Sequence, residues 1–413
     1  MNILFIGGAG KSPDANSVCV KNMANEFIKQ GHSVWILAMG DNFVKKPGTL
    51  GNAVLWEIPM DYYRRLTGRA ENGGSRLLQI WFKLVSVIRH ILLLFFYPVT
   101  SPGRSKKVAR KAMQIVKDNH IDIAICVFNP FDNIYAGLKL KRIFSDEMKV
   151  VSYHLDLRTA SINPNALVRD YIHKHALKSL VEENGLVDKM LIPYSGQKEM
   201  ERLQGLEASK ITYVGFPVYV EDNNAEYYKA PFVSDNINVC YIGSLSQDNR
   251  NPAYILTLVE KMNERNKKKT LLHFWGDVGG LLPLLEASPA AVYHGKVENQ
   301  YTRSIMQQAD FLLNIGNAIA HDMLPSKVFG MFATGKPIIN VITHPQDATL
   351  PFFERYNYSI DIREYEQKTV DDVKLLEGSV EKMVSTQNRI SKELFYDFRP
   401  ERICNIVLDK IDR

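Results

Sequence analysis

The chain has 413 residues, 46% of them hydrophobic and 23% charged, with 25 glycines and 18 prolines. This is globular composition, long enough for two or three domains, and it excludes collagen-like, low-complexity and wholly disordered classes. The net charge of +6 is unevenly placed, because Arg64 to Lys117 holds twelve Lys/Arg against one acid, Glu71, leaving the remainder near −5.

The first element read from the N-terminus is NILFIGG, an apolar strand ending in glycine. No basic, apolar and small-residue leader precedes it, so a cytoplasmic chain is expected. In SVCVKNMANEFIKQG, Val20, Met23, Ala24, Phe27 and Ile28 share one helical face before Gly31, and HSVWILAM follows as a second strand. This is a βαβ unit, and IDIAICVF, MKVVSYHLDL and DKMLIPYS continue the alternation of a doubly wound parallel sheet. The turn GGAGKS, residues 7 to 12, is neither a P-loop nor a dinucleotide fingerprint. Phe5 stands where the former needs glycine, and Pro13 where the latter does. What remains at Gly7 and Gly8 is a glycine turn open to a structural role or to close approach of a ligand.

Residues 77 to 97, LLQIWFKLVSVIRHILLLFFY, match a membrane span in length but are interrupted by Lys83, Arg89 and His90. Arg76, Gln79, Lys83, Ser86 and His90 recur at three- and four-residue steps as a polar stripe beside a broad apolar surface. Two readings stay open: a core helix with a solvated stripe, or a membrane-surface patch over residues 75–111. In the second, Trp81, Phe82, Phe95 and Phe96 enter the bilayer while Arg104, Lys106, Lys107, Arg110 and Lys111 meet anionic lipid. No nucleic-acid signature accompanies these charges, so no nucleic-acid partner is expected. The four cysteines, Cys19, Cys126, Cys240 and Cys404, form no CxxC or Cys/His cluster, and reduced, buried thiols are expected.

The stretch KITYVGFPVYVEDNNAEYYKAPFVSD loses helical periodicity, and the grammar then restarts. NVCYIGS is a strand, PAYILTLVEKMNERN a helix opened by Pro252, and TLLHFWG a strand; AAVYHG, NQYTRSIMQQA, DFLLNIG, PSKVFGMFATG and KPIINVI follow. The organisation expected is α/β, with two Rossmann-like doubly wound domains. The N-terminal domain covers residues 1–217, a linker 218–236, and the C-terminal domain 237–390, leaving a final helix in 391–413.

Two clusters of the second half carry chemistry. In YIGSLSQDNRNP, Gly243 and Ser244 end a strand and Arg250 precedes a helix, a setting for a diphosphate or for a solvated arginine. In NIGNAIAHDMLPSKVFGMFATGKPII, a loop leaving the sheet's carboxyl edge brings Asn317, His321, Asp322, Ser326 and Lys327 together. Ser326 and Lys327 at the helix start suit a nucleotide phosphate, the other reading of Lys327 being a solvated first-turn lysine.

The order of these motifs resembles that of GT-B glycosyltransferases, particularly the retaining, nucleotide-sugar-dependent family 4 of bacterial polysaccharide assembly. The resemblance spans nearly the whole chain and rests on Gly7 and Gly8, YVGFPV, YIGSLSQDNRNP, HGKV and MLPSKVFGMFATGKPII. It implies two domains facing across a cleft, with a UDP- or GDP-linked sugar donor on the C-terminal one. The final helix would cross back to the first domain. The implied reaction is hexosyl transfer to a lipid-linked or growing glycan acceptor, with no cofactor and no metal, at the inner face of the membrane. Arg250 and Lys327 are implied to stabilise the leaving diphosphate, and Gly243, Ser244, Asn317, Asp322, Ser326 and Gly330 to line the donor site. His154, which from the residues alone reads as a structural strand-end histidine, would by the resemblance face the donor sugar, with Gly7, Gly8, Asp156 and Arg158 on the acceptor side. The chain departs from the family at Gly330, where a glutamate usually meets the ribose, and at Ser244, where an arginine is usual. A sugar-nucleotide epimerase and a catalytically silent GT-B subunit bound to a partner enzyme are the alternative readings.

Overall fold

The computed structural model describes residues 1–8, 15–40, 46–59, 81, 85, 97–99, 101–128, 130–155, 169–220, 227–319, 321, 324–384 and 395–409. The chain divides into two compact units, Met1–Val218 with Asp397–Arg413, and Tyr219–Tyr396.

The first unit holds a sheet of eight strands in the order β3-β4-β2-β1-β5-β6-β7-β8. They are β1 (Asn2–Ile6), β2 (Ser33–Gly40), β3 (Gly48–Leu50), β4 (Ala53–Pro59), β5 (Ile123–Phe128), β6 (Lys149–His154), β7 (Lys189–Pro193) and β8 (Ile211–Val214). All pairings are parallel except β3 with β4, a short hairpin closed through Gly51 that the sequence pattern does not announce. β5 and β7 are buried along their whole length, as strands covered on both faces must be, which is why they read as unbroken apolar runs. The Ala15–Lys29 helix buries Val20, Met23, Ala24 and Phe27 and ends at Gly31, whose φ of 88° lets His32 N–H donate back to Phe27 O.

The helix Pro400–Leu408 packs on Ala15–Lys29. The Cys404 thiol lies 3.6 Å from Met23 O, Gln30 meets Asn405, and Lys189 donates to Ile406 O. All four cysteines are buried and unbridged.

The second unit holds six parallel strands in the order β11-β10-β9-β12-β13-β14. They are β9 (Ile237–Ile242), β10 (Thr270–Trp275), β11 (Ala291–Tyr293), β12 (Phe311–Ile315), β13 (Ile338–Ile342) and β14 (Ser359–Arg363). This unit has its own core, in which Ile255, Leu258, Val259 and Met262 of the Ala253–Arg265 helix pack against the sheet. The helix Thr369–Val384 packs beside that helix and against β14, with Tyr254 Oη donating to Asp372 at 2.6 Å.

Of the expected linker, residues 227–236 are laid along the second unit. Tyr228 N–H donates to Ser304 Oγ, Ala230 N–H to Gln308 Oε1 and Val233 N–H to Asn238 Oδ1, all near 3 Å.

Candidate functional site

In the second sheet the strand order reverses between β9 and β12. Loops leaving neighbouring strands at such a reversal diverge, and the crevice between them at the carboxyl edge is where open parallel sheets bind ligands. The two polar clusters singled out in the sequence are the two loops that flank this crevice.

After β9 the backbone turns at Gly243, with φ 154°, and its N–H donates to Trp275 O at 2.9 Å. The next strand, β10, is followed by Gly276, with φ 129°, where an added side chain would run into the Gly243 carbonyl. Gly276 is thus required by the close approach of the Gly243 carbonyl and Gly243 by its own φ, and the edge they form is bare backbone that a ligand oxygen can approach closely. Ser244 is exposed, and its carbonyl accepts the Tyr241 hydroxyl at 2.9 Å.

From Ser246 to Arg250 the chain closes a tight turn with backbone hydrogen bonds in both directions. This turn is joined to the loop after β12: Arg250 Nε donates to Asn317 Oδ1 at 2.7 Å, and Ala318 and Ile319 N–H donate to Asn249 O and Oδ1. Asn317 is buried and serves to orient the Arg250 guanidinium.

Lys327 opens the Lys327–Phe332 helix and reaches back over β9. Its Nζ lies 4.6 Å from the centroid of the Tyr241 ring and 3.5 Å from Tyr241 Oη. Although the residue as a whole is half-buried, the ammonium end is enclosed. Burial, reinforced by repulsion from Arg250, lowers its pKa to about 7. Burial likewise pushes the Tyr241 phenol up to about 12, with Arg250 pulling the other way. Among the described residues neither Lys327 nor Arg250 has a carboxylate within ion-pair distance. An ammonium enclosed beside a guanidinium, with no carboxylate near either among the described residues, is an arrangement whose desolvation and repulsion a bound anion would relieve.

Ser326 caps the helix by position, without a side-chain bond to its backbone. Gly330 is partly exposed, and an added Cβ would meet nothing within 4 Å. Packing therefore does not demand glycine there. Asp322 lies outside the described residues.

The first-unit candidates are arranged differently. Gly7 and Gly8, with φ of 98° and 78°, turn the chain after β1, but the space beside them is taken: a side chain at Gly7 would strike the Asn133 carboxamide, and one at Gly8 would strike Val20. Asn133 is itself held by its donation to Val127 O at 3.0 Å. His154, at the end of β6, is 1% exposed. Its Nε2 is bonded to Glu183 Oε1 at 2.6 Å, and its ring stacks on Phe128. These contacts make it a core histidine fixed by a buried partner. Asp156 and Arg158 lie outside the described residues.

Of the expected lipid-facing patch, residues 75–80, 82–84, 86–96 and 100 lie outside the described residues. Arg104 is corrected: it is 6% exposed and ion-paired with fully buried Asp132, which also accepts from Ser105 Oγ and Ser101 N–H, so it cannot reach a lipid. Lys111 lies 3.4 Å above the Trp56 ring, while Lys106, Lys107 and Arg110 are exposed. No described helix is long and apolar enough to cross a membrane, and no three His, Cys, Asp or Glu side chains converge as a metal set among the described residues.

Sequence reasoning missed Tyr241, Gly276, Asn249 and Glu183. Gly276 carried a signal, since it follows β10 as Gly243 follows β9. Glu183 carried none, because its partner lies 29 residues away.

No protein-family model and no curated protein sequence matches this chain. Solved structures match it over nearly their whole length. Sucrose-phosphate synthase from Thermosynechococcus elongatus superposes with a TM-score of 0.60 at 9% identity, covering 99% of this chain and 97% of that one. WaaG, a glycosyltransferase involved in lipopolysaccharide biosynthesis, gives 0.56 at 10% identity over 98% and 99%. A UDP-N-acetylglucosamine 2-epimerase homologue from Listeria monocytogenes gives 0.51 at 12% over 100% and 96%. The fold is therefore that of the GT-B proteins.

Proposed function

We propose that this chain is a glycosyltransferase that moves a hexosyl group from a UDP- or GDP-linked sugar to a lipid-linked or growing glycan acceptor in polysaccharide assembly. The observation that carries the reading is the pair Lys327 and Arg250, lacking carboxylate partners among the described residues and set beside the bare Gly243–Gly276 edge at the strand-order reversal.

In this reading the diphosphate lies between the two cations, with the Gly243 turn beneath it. As the bond from sugar to diphosphate breaks, negative charge grows on the leaving group. A guanidinium already oriented by Asn317 and an ammonium already enclosed over Tyr241 then stabilise it without reorganising. The low pKa of Lys327 in the free protein means that binding above neutral pH takes up a proton, so the site is fully charged only when occupied. Retention of anomeric configuration and a peripheral position at the membrane belong to the same proposal and are carried by the family resemblance. His154, held by Glu183, supports the end of β6 rather than reacting.

The test is a thermal-shift titration with UDP, GDP, ADP and CMP, followed by transfer assays with sugars of the nucleotide that binds. A ligand at a hundred times its Kd raises stability by about 2.7 kcal/mol. Stabilisation by one nucleotide diphosphate, lost in Lys327→Ala, is expected. No stabilisation by any of them would favour the silent subunit, and turnover of the donor without an acceptor would favour the epimerase.

A further inference from the structure

The helix that begins with Lys327 is too short to place itself. Its six residues, Lys327–Phe332, make fewer than two turns, and its N-cap Ser326 makes no side-chain bond to the backbone, so packing decides where the first residue lies. Val328, Phe329, Met331 and Phe332 are buried, and the two phenylalanines pack on a cluster of aromatic rings. Part of that cluster comes from the next helix, Leu350–Tyr356: Phe329 meets Phe352 edge-on at 5.2 Å, and Phe332 meets Phe353 at 5.1 Å and Tyr356 at 4.6 Å. Two more rings come from the ends of the second unit. Phe395 lies flat on Phe332, with centroids 4.7 Å apart and planes 3° from parallel, and meets Phe329 edge-on at 6.1 Å. Tyr219, the first residue of the unit, packs on Phe395 at 5.9 Å. Phe395 is 1% exposed, and so is Phe398, three residues on, which belongs to the first unit and fills the space beside Gly215. Three residues span at most about 11 Å, so the chain that follows Phe395 has little slack.

We propose that Phe395 is a positioning residue for the Lys327 ammonium. It acts through Phe332 and Phe329. The flat contact at one end of the helix fixes how far the other end reaches over β9, where Lys327 Nζ stands 4.6 Å from the centroid of the Tyr241 ring and 3.6 Å from the point that a side chain at Gly243 would occupy. A small shift of so short a helix would carry the ammonium off the tyrosine ring and away from the glycine edge. The rings of Leu350–Tyr356 cannot set this position alone, because that helix has only seven residues and is itself placed by packing, whereas Phe395 is also held by the short chain leading to Phe398. Phe395 is far from sequence reasoning's reach, since it lies 68 positions after the lysine it serves. The functional meaning of the inference rests on the diphosphate reading of Lys327, while the chain of contacts stands without it.

The experiment is carbon NMR of the whole protein labelled at the lysine Cε, which follows the Lys327 titration without any ligand; Lys327→Met assigns the signal. The same samples are then titrated with UDP and GDP. In the unaltered protein the signal is expected to titrate at about 7, because burial and Arg250 disfavour the charged form. In Phe395→Ala the midpoint is expected to rise by about one pH unit or more as the ammonium reaches water. Affinity of the folded fraction for the nucleotide that binds should fall roughly tenfold, the lower end for a charge-assisted contact. Phe395→Leu keeps the bulk and loses the flat face, so it should fold where alanine fails to and shift both readouts in the same direction by less. Leu376→Ala is the control for a general loss of packing: Leu376 is fully buried in the core of the same unit, on the helix Thr369–Val384, and its removal should lower stability and leave midpoint and affinity unchanged. An unmoved Lys327 midpoint in the folded Phe395 variants, an equal shift in Leu376→Ala, or a Lys327 signal already in the ordinary lysine range in the unaltered protein would overturn the inference. Failure of UDP and GDP to bind the unaltered protein concerns only the transferase reading, because the titration is followed without them.

Discussion

The carboxyl edges of the two sheets are built on the same plan, a strand, a glycine turn and a helix, yet they treat polar groups in opposite ways. In the first unit the buried candidate positions are matched by protein groups: Asn133 fills the space beside Gly7, Glu183 holds His154, and Asp132 neutralises Arg104. In the second unit Lys327 is enclosed beside Arg250 with no carboxylate near either among the described residues. The contrast separates two uses of a buried charge. A paired one fixes the chain, and removing its partner costs stability; an unpaired one destabilises the free protein and is compensated by a ligand.

The comparison can be broken most sharply at Asp132. Asp132→Ala leaves Arg104 buried without its counter-ion and is expected to cost about 3–5 kcal/mol in denaturant unfolding. Nucleotide affinity of the folded fraction should be unchanged.

Next comes Lys327→Met. It is expected to weaken nucleotide-diphosphate binding roughly 10- to 100-fold, the worth of about 1.5–3 kcal/mol for a charge-assisted contact. The ligand-free protein should become more stable by on the order of 1 kcal/mol as an enclosed charge is removed. The sign of the pH effect follows. The lysine pKa is depressed in the folded protein to about 7, so between pH 7 and its ordinary range the unfolded chain holds the extra proton and stability rises with pH. Binding behaves oppositely, with affinity falling by up to about tenfold per pH unit above 7. Calorimetry across pH 6 to 9 should show this slope in the unaltered protein and not in Lys327→Met.

A smaller effect is expected at Glu183. Glu183→Gln should cost about 1–2 kcal/mol of stability and leave nucleotide binding intact. Loss of transfer activity with stability unchanged would instead give His154 a part in the chemistry. The smallest effect concerns Gly330, where Gly330→Ala meets open space and should stabilise by roughly 0.5–1 kcal/mol through reduced backbone freedom.

Much of the architecture was legible because parallel strands buried on both faces must be apolar throughout, and runs such as IAICVF and FLLNI admit few other structures. The hairpin of β3 and β4 was not, since β3 is only three residues long and largely exposed while β4 is part-exposed. Within the site, Arg250 and Lys327 stood out because charge next to a strand-ending glycine is locally visible. Arg104 misled for the complementary reason: a run of basic residues shows how many charges there are, while Asp132, 28 residues on, decides which one turns inward. Tyr241 was hidden by its position in a strand, where a tyrosine reads as core until the Lys327 ammonium is found above it.

The return of the helix Pro400–Leu408 to Ala15–Lys29 makes the second unit an insertion within the first. A fragment ending at Val218 would expose Met23 O and strand Lys189 without its carbonyl, whereas residues 219–396 form an uninterrupted piece. During synthesis, therefore, the segment made later can finish folding before the one made first. The opening unit must wait, with one flank uncovered, until the ribosome has released residues some four hundred positions downstream of its first strand.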